Sequence, residues 1–251
     1  KKNNNETLVL ADNDTATYKR TPKFPYKEGP RDYQKQAFDN WKDNGQKGLF
    51  AMATGTGKTI TSLNCLYEIY SRKQYYKAII LVPTVTLVNQ WEEECKKFNF
   101  DNVIKVYSKN PFWQDELDRI CFNEKYSPND LNSYVIISTW ASYSRSKVFD
   151  KLNSLDKRRL LFIADEAHNM GAKTMAKKLK DIPYARRIGL SATPERQFDD
   201  SGNSKLKKFF GAEEKYTFEY SMDEAIHGDK PVLCKYFYYP HIIRLSDEEM
   251  E

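Results

Sequence analysis

The chain has 251 residues, of which 40% are hydrophobic and 30% are charged, so it can bury one large core or two small ones. It contains no run of 18 apolar residues, and its first residues lack the apolar centre of a signal peptide. We therefore expect a cytoplasmic protein with no membrane partner. The net charge of +5 is compatible with a polyanionic partner but does not require one.

The first 30 residues are polar, contain three prolines and show no sustained hydrophobic period. This composition predicts an N-terminal arm or linker over residues 1–30, and a folded domain over residues 31–230. Residues 231–251 contain a strand-like stretch, which predicts an exit strand and linker towards a second domain. Because the chain begins with Lys1 and ends in what resembles the start of a helix, we expect it to be part of a longer protein.

Between the arm and the exit segment, short apolar runs alternate with longer amphipathic segments. The runs predicted to be strands are 48–53, 78–82, 103–107, 134–139, 159–164 and 186–191. Several are apolar on both faces, as strands of a parallel sheet with helices on both sides must be. One amphipathic segment, 86–98, places Trp91 on its apolar face. The fold class is therefore α/β, with a mostly parallel central sheet.

After residue 194 the alternation weakens, and the pattern predicts a loop over 198–205 followed by a short helix. The strand-like stretch 232–245 contains four consecutive aromatic residues, 236–239. Such a run can stack nucleic-acid bases, but its strand-like context favours packing in the core or against another domain.

The first chemical motif is MATGTGKT, residues 52–59, between a predicted strand and a predicted helix. Gly55 and Gly57 allow a phosphate chain to approach the backbone, and the start of the helix favours negative charge. Lys58 can reach the β- and γ-phosphates, and the Thr59 hydroxyl can hold Mg²⁺. The alternative is a glycine turn that happens to precede Lys-Thr. Met52 occupies the position where the general phosphate-loop pattern has its first glycine.

The second motif is the acidic pair Asp165 and Glu166, which ends the apolar run RLLFIA. Transfer of a phosphoryl group to water needs one carboxylate to organise Mg²⁺ and another group to orient or deprotonate the water. The pair alone could also be an exposed helix start, where acidic residues are favoured by the helix dipole.

Five candidate positions lie just after predicted strands, and they are Lys58, Thr84, Thr139, Asp165 and Ser191. In open parallel sheets, ligands bind at the carboxyl ends of the strands. The convergence of these polar loops on one edge therefore predicts a ligand site, independently of any family.

These motifs together, with SAT at 191–193 and PTVTL at 83–87, resemble the superfamily 2 helicases over most of 31–196. The resemblance implies a RecA-like P-loop NTPase, a three-layer sandwich that uses ATP and Mg²⁺. It assigns nucleotide binding to Gln34, Thr54, Gly55, Thr56, Gly57, Lys58 and Thr59. It also implies that Asp165 and Thr59 hold Mg²⁺, that Glu166 is the catalytic base, and that Lys58 assists catalysis.

The same resemblance implies that His168, Ser191 and Thr193 couple the state of ATP to the nucleic acid along which such proteins move. It also implies that Thr84 and Thr139 contact the nucleic-acid backbone. The sequences VPTVTLVNQW and GLSATPER are closer to the corresponding motifs of restriction-enzyme motors and excision-repair helicases than to those of the DEAD-box RNA helicases. This favours duplex DNA over RNA as the partner.

The family resemblance implies a DNA helicase or translocase whose ATP site lies between two RecA-like domains. The second domain would supply transition-state arginines, so we expect the present chain to bind ATP but to hydrolyse it slowly. Three alternatives remain open: an ATP-gated nucleic-acid switch that does not translocate, an RNA helicase, and a P-loop ATPase without a nucleic-acid role.

Overall fold

The computed structural model describes residues 6–9, 17–127, 132–171, 182–195, 199–237 and 239–240. Their main feature is a seven-stranded sheet in which every pair of neighbours is parallel. Its strands are β3 (Lys47–Met52), β4 (Lys77–Val82), β5 (Val103–Val106), β6 (Tyr134–Thr139), β7 (Leu161–Asp165), β8 (Arg186–Ser191) and β9 (Phe218–Tyr220). Their spatial order is β5-β6-β4-β7-β8-β3-β9. The predicted α/β class and parallel sheet are confirmed.

Helices cover both faces of this sheet. On one face lie α1 (Asp32–Asp43), α2 (Lys58–Lys73) and α3 (Val85–Lys97). On the other lie α4 (Trp113–Tyr126), α5 (Trp140–Tyr143), α6 (Ser146–Ser154) and α7 (Asp200–Phe210). A short 3₁₀ helix, Ala167–Gly171, follows β7, and α8 (Met222–His227) follows β9. None of the helices in the described ranges combines the length and apolarity needed to cross a bilayer.

The core is divided in two by the sheet, because successive side chains of a strand point to opposite faces. In β4, Ile79 and Leu81 belong to the core under α4–α7, whereas Ala78, Ile80 and Val82 belong to the core under α1–α3. All six residues of this strand are buried. This burial explains why the central strands have continuous apolar sequences.

All six strands predicted from apolar runs are present, but β9 was missed. It is an edge strand of three residues, of which only Phe218 is buried. The predicted loop 198–205 is partly wrong, because α7 begins at Asp200. The Asp199 carboxylate accepts a hydrogen bond from the N–H of Gly202 and caps this helix, so a polar run that resembles a loop starts a helix instead.

The N-terminal arm contains an unpredicted antiparallel hairpin, β1 (Glu6–Val9) with β2 (Thr17–Arg20). Beyond the hairpin the arm is fastened to the domain. The Phe24 ring packs edge-on against Phe98, with 5.4 Å between ring centroids, and the N–H of Lys23 donates to the Phe98 carbonyl at 2.9 Å. The end of the arm is therefore docked on the end of α3.

The exit segment differs from its prediction. Residues 231–237, 239 and 240 form no strand, and the remainder of 232–245 lies outside the described residues. Tyr236, Phe237 and Tyr239 are 64%, 83% and 77% exposed, so these three aromatic rings do not pack in the core. Leu233 instead contacts the phosphate-loop motif beside Gly55.

Candidate functional site

The five positions predicted to converge lie at the carboxyl ends of five adjacent strands. In spatial order these are Thr139 on β6, Thr84 after β4, Asp165 on β7, Ser191 on β8 and Lys58 after β3. Because the strands are parallel, all five positions lie at one edge of the sheet. The convergence expected from the strand pattern is confirmed.

The glycine-rich segment between β3 and α2 has the backbone that its sequence predicts. Gly55 and Gly57 have φ angles of 84° and 81°, a region that glycine occupies without steric cost. Gly57 is the N-cap of α2, so the first N–H groups of this helix point into the loop. Met52 is the last residue of β3, with a buried side chain and no positive φ, so its backbone does not require glycine.

The threonines of this loop and Lys58 differ in exposure. Thr54 is exposed, whereas Lys58 and Thr59 are half-buried at the start of α2. The Lys58 ammonium donates to the Met52 carbonyl at 3.2 Å, which holds it above the end of β3. Thr56 is 1% exposed and its hydroxyl donates to the Ala53 carbonyl at 2.7 Å, so this side chain forms a hydrogen bond within the loop.

Gln34 lies on α1 beside this loop and is 4% exposed. Its side-chain oxygen accepts the N–H of Arg31 at 2.9 Å, and its amide nitrogen donates to the Thr61 hydroxyl at 3.4 Å. The neighbouring Tyr33 donates its hydroxyl to the Thr56 carbonyl at 2.6 Å and stacks on Tyr220. From the α1 side, Tyr33 therefore braces the loop itself, and Gln34 braces the first turn of α2.

Asp165 is the last residue of β7 and is 7% exposed. Burial raises the pKa of its carboxyl, while hydrogen bonds from Trp91 and from the Glu166 N–H, and the charge of Lys58, act to lower it. The Oδ1 atom accepts the Glu166 N–H at 3.0 Å, and Oδ2 accepts the Trp91 indole N–H at 2.9 Å. This carboxylate is thus held in a fixed orientation beside a cation.

Glu166 has a φ angle of 47°, in the left-handed region that residues other than glycine rarely occupy. Its carbonyl accepts two hydrogen bonds from Asn169, from the backbone N–H and from the side-chain amide, each at 2.9 Å. These two bonds stabilise the strained turn, and the Glu166 side chain is 36% exposed, whereas Asp165 is buried.

His168, Ser191 and Thr193 are linked by polar contacts. The Nδ1 atom of His168 lies 3.3 Å from the Ser191 hydroxyl and 3.4 Å from a Glu166 carboxylate oxygen. The Ser191 hydroxyl also accepts the N–H of Thr193 at 3.2 Å. A chain of polar contacts thus connects the end of β7 to the loop after β8.

Thr84 and Thr139 each cap a helix. The Thr84 hydroxyl accepts the N–H of Leu87 at 3.3 Å at the start of α3, and the Thr139 hydroxyl accepts the N–H of Ser142 at 3.2 Å at the start of α5. Thr84 is exposed and Thr139 is 5% exposed. The two side chains therefore have a structural function at this edge, and Thr84 is accessible to a ligand.

Two tryptophans were not recognised as parts of this site from the sequence. Trp91 was predicted to face the core, and it is 1% exposed, but its indole N–H also binds Asp165. Trp140 donates its indole N–H to the Asp165 carbonyl at 3.3 Å. Hydrophobic periodicity identifies a buried tryptophan but not the group that its N–H binds, and here the partners lie 74 and 25 residues away.

A separate cleft of about 830 Å³ lies between α1 and the segment that leads into β9. Asn40, Glu213, Tyr216 and Glu224 are among its lining residues, and none of the predicted site residues lines it. The predicted chemistry therefore belongs to the carboxyl edge of the sheet and not to this cleft.

The chain is similar to known proteins in both sequence and fold. Residues 27–196 match the family described as "Type III restriction enzyme, res subunit". A "DNA 3'-5' translocase XPB2" from Sulfurisphaera tokodaii is 30% identical over 180 residues, which are 70% of this chain and 33% of the relative. The chain spans between a third and two fifths of the length of the first curated relatives that it matches.

Two solved structures share the fold at less than 25% identity. A nuclease-deletion mutant of the Type ISP restriction-modification enzyme LlaGI, in complex with a DNA substrate mimic, has a TM-score of 0.56 and 21% identity, and the match covers 78% of this chain and 20% of that one. The Pyrococcus furiosus Hef helicase domain has a TM-score of 0.55 and 18% identity, over 76% of this chain and 38% of that one. These likenesses confirm the RecA-like helicase fold.

Proposed function

Because this chain belongs to the family of the Type III restriction enzyme res subunit, we propose that it is the ATP-binding motor domain of a DNA helicase or translocase. The observation that carries this proposal is the alignment of Lys58, Asp165, Ser191, Thr84 and Thr139 along five adjacent strand ends. The relatives named for DNA translocation and restriction support duplex DNA as the partner.

Nucleotide binding would take place on the loop 53–57 and the first turn of α2. The N–H groups at the start of a helix bind anions, and the glycine backbone allows phosphates to approach closely. The Lys58 ammonium would exchange its Met52 carbonyl for the β- and γ-phosphates. Gln34 would contact the adenine, which requires it to release its bonds to Arg31 or Thr61.

The donor set at this edge fits Mg²⁺, because a carboxylate and a hydroxyl are hard oxygen ligands. Asp165 and Thr59 would hold the ion at the ends of β7 and the loop. An ion held by these two residues would supply positive charge against the negative charge that develops during phosphoryl transfer. The fixed orientation of Asp165 means that little rearrangement of the carboxylate is required.

The carboxylate of Glu166 would orient and deprotonate the attacking water. Its side chain is 36% exposed, against 7% for Asp165, and this greater access to solvent suits a group that contacts the attacking water. Through His168, Ser191 and Thr193, a change at Glu166 would be transmitted to the loop after β8. We propose that this chain of contacts couples the state of ATP to the DNA track at Thr84 and Thr139.

The chain covers only a part of each of its relatives, and its described residues form one RecA-like unit. A second RecA-like domain would supply the arginines that stabilise the transition state, an effect of about 10³- to 10⁵-fold in rate. We therefore expect this chain alone to bind ATP with Mg²⁺ and to hydrolyse it slowly. Rapid DNA-stimulated hydrolysis by the isolated chain would contradict this expectation.

The central test is ATP binding by the Lys58→Ala variant. Loss of a charge-assisted contact worth about 1.5–3 kcal/mol should lower affinity roughly 10- to 100-fold. The matched control is Lys73→Ala at the exposed far end of the same helix, which should bind like the wild type. Calorimetric titration with ATP and Mg²⁺ measures both, and equal affinities for the two variants would overturn the proposed phosphate site.

The proposed base is tested by the Glu166→Gln variant, which should retain ATP affinity because this side chain contacts water and not the phosphates. The amount of phosphate produced over a long incubation should fall about 100-fold or more, since a general base contributes about 10²- to 10⁴-fold to the reaction rate. If Glu166→Gln lost as much ATP affinity as Lys58→Ala, the assigned roles would be wrong.

DNA binding is tested with duplex DNA and duplex RNA of equal sequence. Affinity for DNA should exceed that for RNA and fall steeply with salt, because phosphate contacts release counterions. An affinity that did not depend on salt would favour a P-loop ATPase without a nucleic-acid role, and a preference for RNA would favour an RNA helicase.

A further inference from the structure

We propose that Trp91 and Trp140 are positioning residues that hold Asp165 in the orientation in which it binds Mg²⁺. We also propose that they connect this carboxylate to the helices that begin at Thr84 and Thr139. The inference rests on the proposed function, because it assigns these tryptophans to the same ATP site.

The two indoles reach one residue from opposite layers of the domain. Trp91 belongs to the core between the sheet and α1–α3, and Trp140 belongs to the core between the sheet and α4–α7. Trp91 donates to the side chain of Asp165 at 2.9 Å, and Trp140 donates to its backbone carbonyl at 3.3 Å. Asp165 is thus held at both its carboxylate and its main chain.

This arrangement leaves the carboxylate able to bind a cation. An ionised carboxylate has about four acceptor sites, and the described contacts of Asp165 use one on each oxygen, from the Trp91 indole and the Glu166 N–H. Both donors fix the rotation of the carboxylate without occupying every acceptor site. Partners of this kind, one step removed from a metal ligand, commonly change metal affinity by about 10- to 100-fold when removed.

Core packing alone does not require this partner. Trp41 is equally buried, and its indole N–H is satisfied by the backbone carbonyl of Arg187 at 2.9 Å. A neutral carbonyl is sufficient to satisfy a buried N–H, whereas a hydrogen bond to an ionised carboxylate also orients that carboxylate. Trp91 therefore differs from an ordinary core tryptophan in the group that it binds.

The same two helices carry the predicted DNA contacts. Thr84 caps α3 and lies seven residues, about two helical turns, before Trp91. Thr139 caps α5, and Trp140 is the first residue of that helix. A shift of either helix on binding DNA would move an indole relative to Asp165. Because coupling between two ligands is reciprocal, Mg²⁺-nucleotide binding would in turn change the affinity for DNA.

The test is a Mg²⁺ titration of nucleotide binding by the 251-residue chain, followed with a fluorescent ATP analogue. Trp91→Phe keeps the packed ring but removes the N–H, so the Mg²⁺ concentration for half-maximal binding should rise about tenfold or more. Trp41→Phe removes an N–H of the same kind at the other end of the sheet and should leave the Mg²⁺ dependence unchanged. Trp140→Phe should have a smaller effect of the same sign, and thermal melting establishes that each variant is folded.

A Trp91→Phe chain that is folded and has the Mg²⁺ dependence of the wild type would overturn the inference alone. A wild-type chain that bound no nucleotide would overturn the proposed function and, with it, this inference. In a second measurement, duplex DNA should change nucleotide affinity in the wild type, and Trp91→Phe should reduce that change severalfold. An unchanged effect of DNA in this variant would overturn the proposed link through α3.

Discussion

At the amino end of the parallel sheet, Trp41 donates its indole N–H to the carbonyl of Arg187, whereas at the carboxyl end Trp91 donates the same group to the carboxylate of Asp165. Charged groups differ in the same way. Lys77, at the start of β4, is 3% exposed and pairs with Glu124, while Lys58, after the end of β3, is half-buried and binds only a backbone carbonyl among its described contacts. Trp41 and Lys77 at the amino end are thus bound to neutral or oppositely charged groups of the protein, whereas Asp165 and Lys58 at the carboxyl end keep the capacity to bind the proposed ligand.

This contrast arises from the parallel topology. With every strand running in one direction, the loops that leave the strands share one edge, and the loops that enter them share the other. Substitutions at the amino edge should therefore act on stability, and substitutions at the carboxyl edge on binding. Three sets of variants test this difference between the two edges.

The largest effect should come from Trp41→Ala at the amino edge. Removing this fully buried ring should lower the free energy of unfolding by about 3–5 kcal/mol, because a large cavity remains and the Arg187 carbonyl loses its donor. Urea unfolding measures the loss. Nucleotide affinity at a temperature where the variant is folded should equal that of the wild type, and a marked fall in affinity would break the division between the edges.

An effect of intermediate size is expected from a comparison of two glycines that both have a positive φ angle. Gly45 and Gly57 have φ angles of 64° and 81°, so Ala at either position should cost about 1–2 kcal/mol of stability. Gly45 precedes β3 at the amino edge and has open space around it. Gly57→Ala should also weaken nucleotide binding roughly tenfold, because a methyl group would stand where phosphate approaches the backbone.

Chemical denaturation and nucleotide titration of both alanine variants measure this pair. Equal stabilities with unequal affinities are the expected result. If Gly45→Ala weakened nucleotide binding as much as Gly57→Ala, the strain itself, and not the position of the methyl group, would control affinity.

The smallest effect should be that of Thr84→Ala, which removes the hydroxyl that caps α3. Loss of a helix cap costs about 1 kcal/mol, and duplex DNA affinity should fall severalfold while nucleotide affinity without DNA is unchanged. Thr84→Ser keeps the hydroxyl and should restore both properties. Fluorescence anisotropy with labelled duplex measures the affinity, and an unaltered value in Thr84→Ala would remove this residue from the predicted DNA contacts.

The sequence was sufficient to predict the central sheet, because strands buried on both faces need consecutive apolar side chains, as residues 78–82 of β4 and 134–137 of β6 have. It was not sufficient for β9, since an edge strand with one buried side chain has no distinctive period. The start of α7 was also missed, although Asp199 is a residue type that caps helices. In that segment the turn-like composition outweighed the capping signal.

For the site, the sequence predicted which residues share an edge but not how they contact one another. The convergence of Lys58, Asp165 and Ser191 follows from strand direction alone. The bond from Trp91 to Asp165 does not, because it depends on how α3 packs over β7, and the hydrophobic pattern of α3 requires only that Trp91 be buried. Likewise, no local sequence pattern predicts that the Thr56 hydroxyl donates a hydrogen bond to the Ala53 carbonyl.

The path of the chain after α8 affects where this domain can be cut. The N–H groups of Val232 and Leu233 both bind the Ala225 carbonyl, and this brings a methyl carbon of Leu233 to 3.1 Å from the point where a side chain on Gly55 would begin. A fragment trimmed at residue 230, the predicted end of the domain, would keep every strand and helix of the sheet but would uncover one side of the phosphate loop. Any shorter version of this domain should therefore retain the chain through at least Leu233.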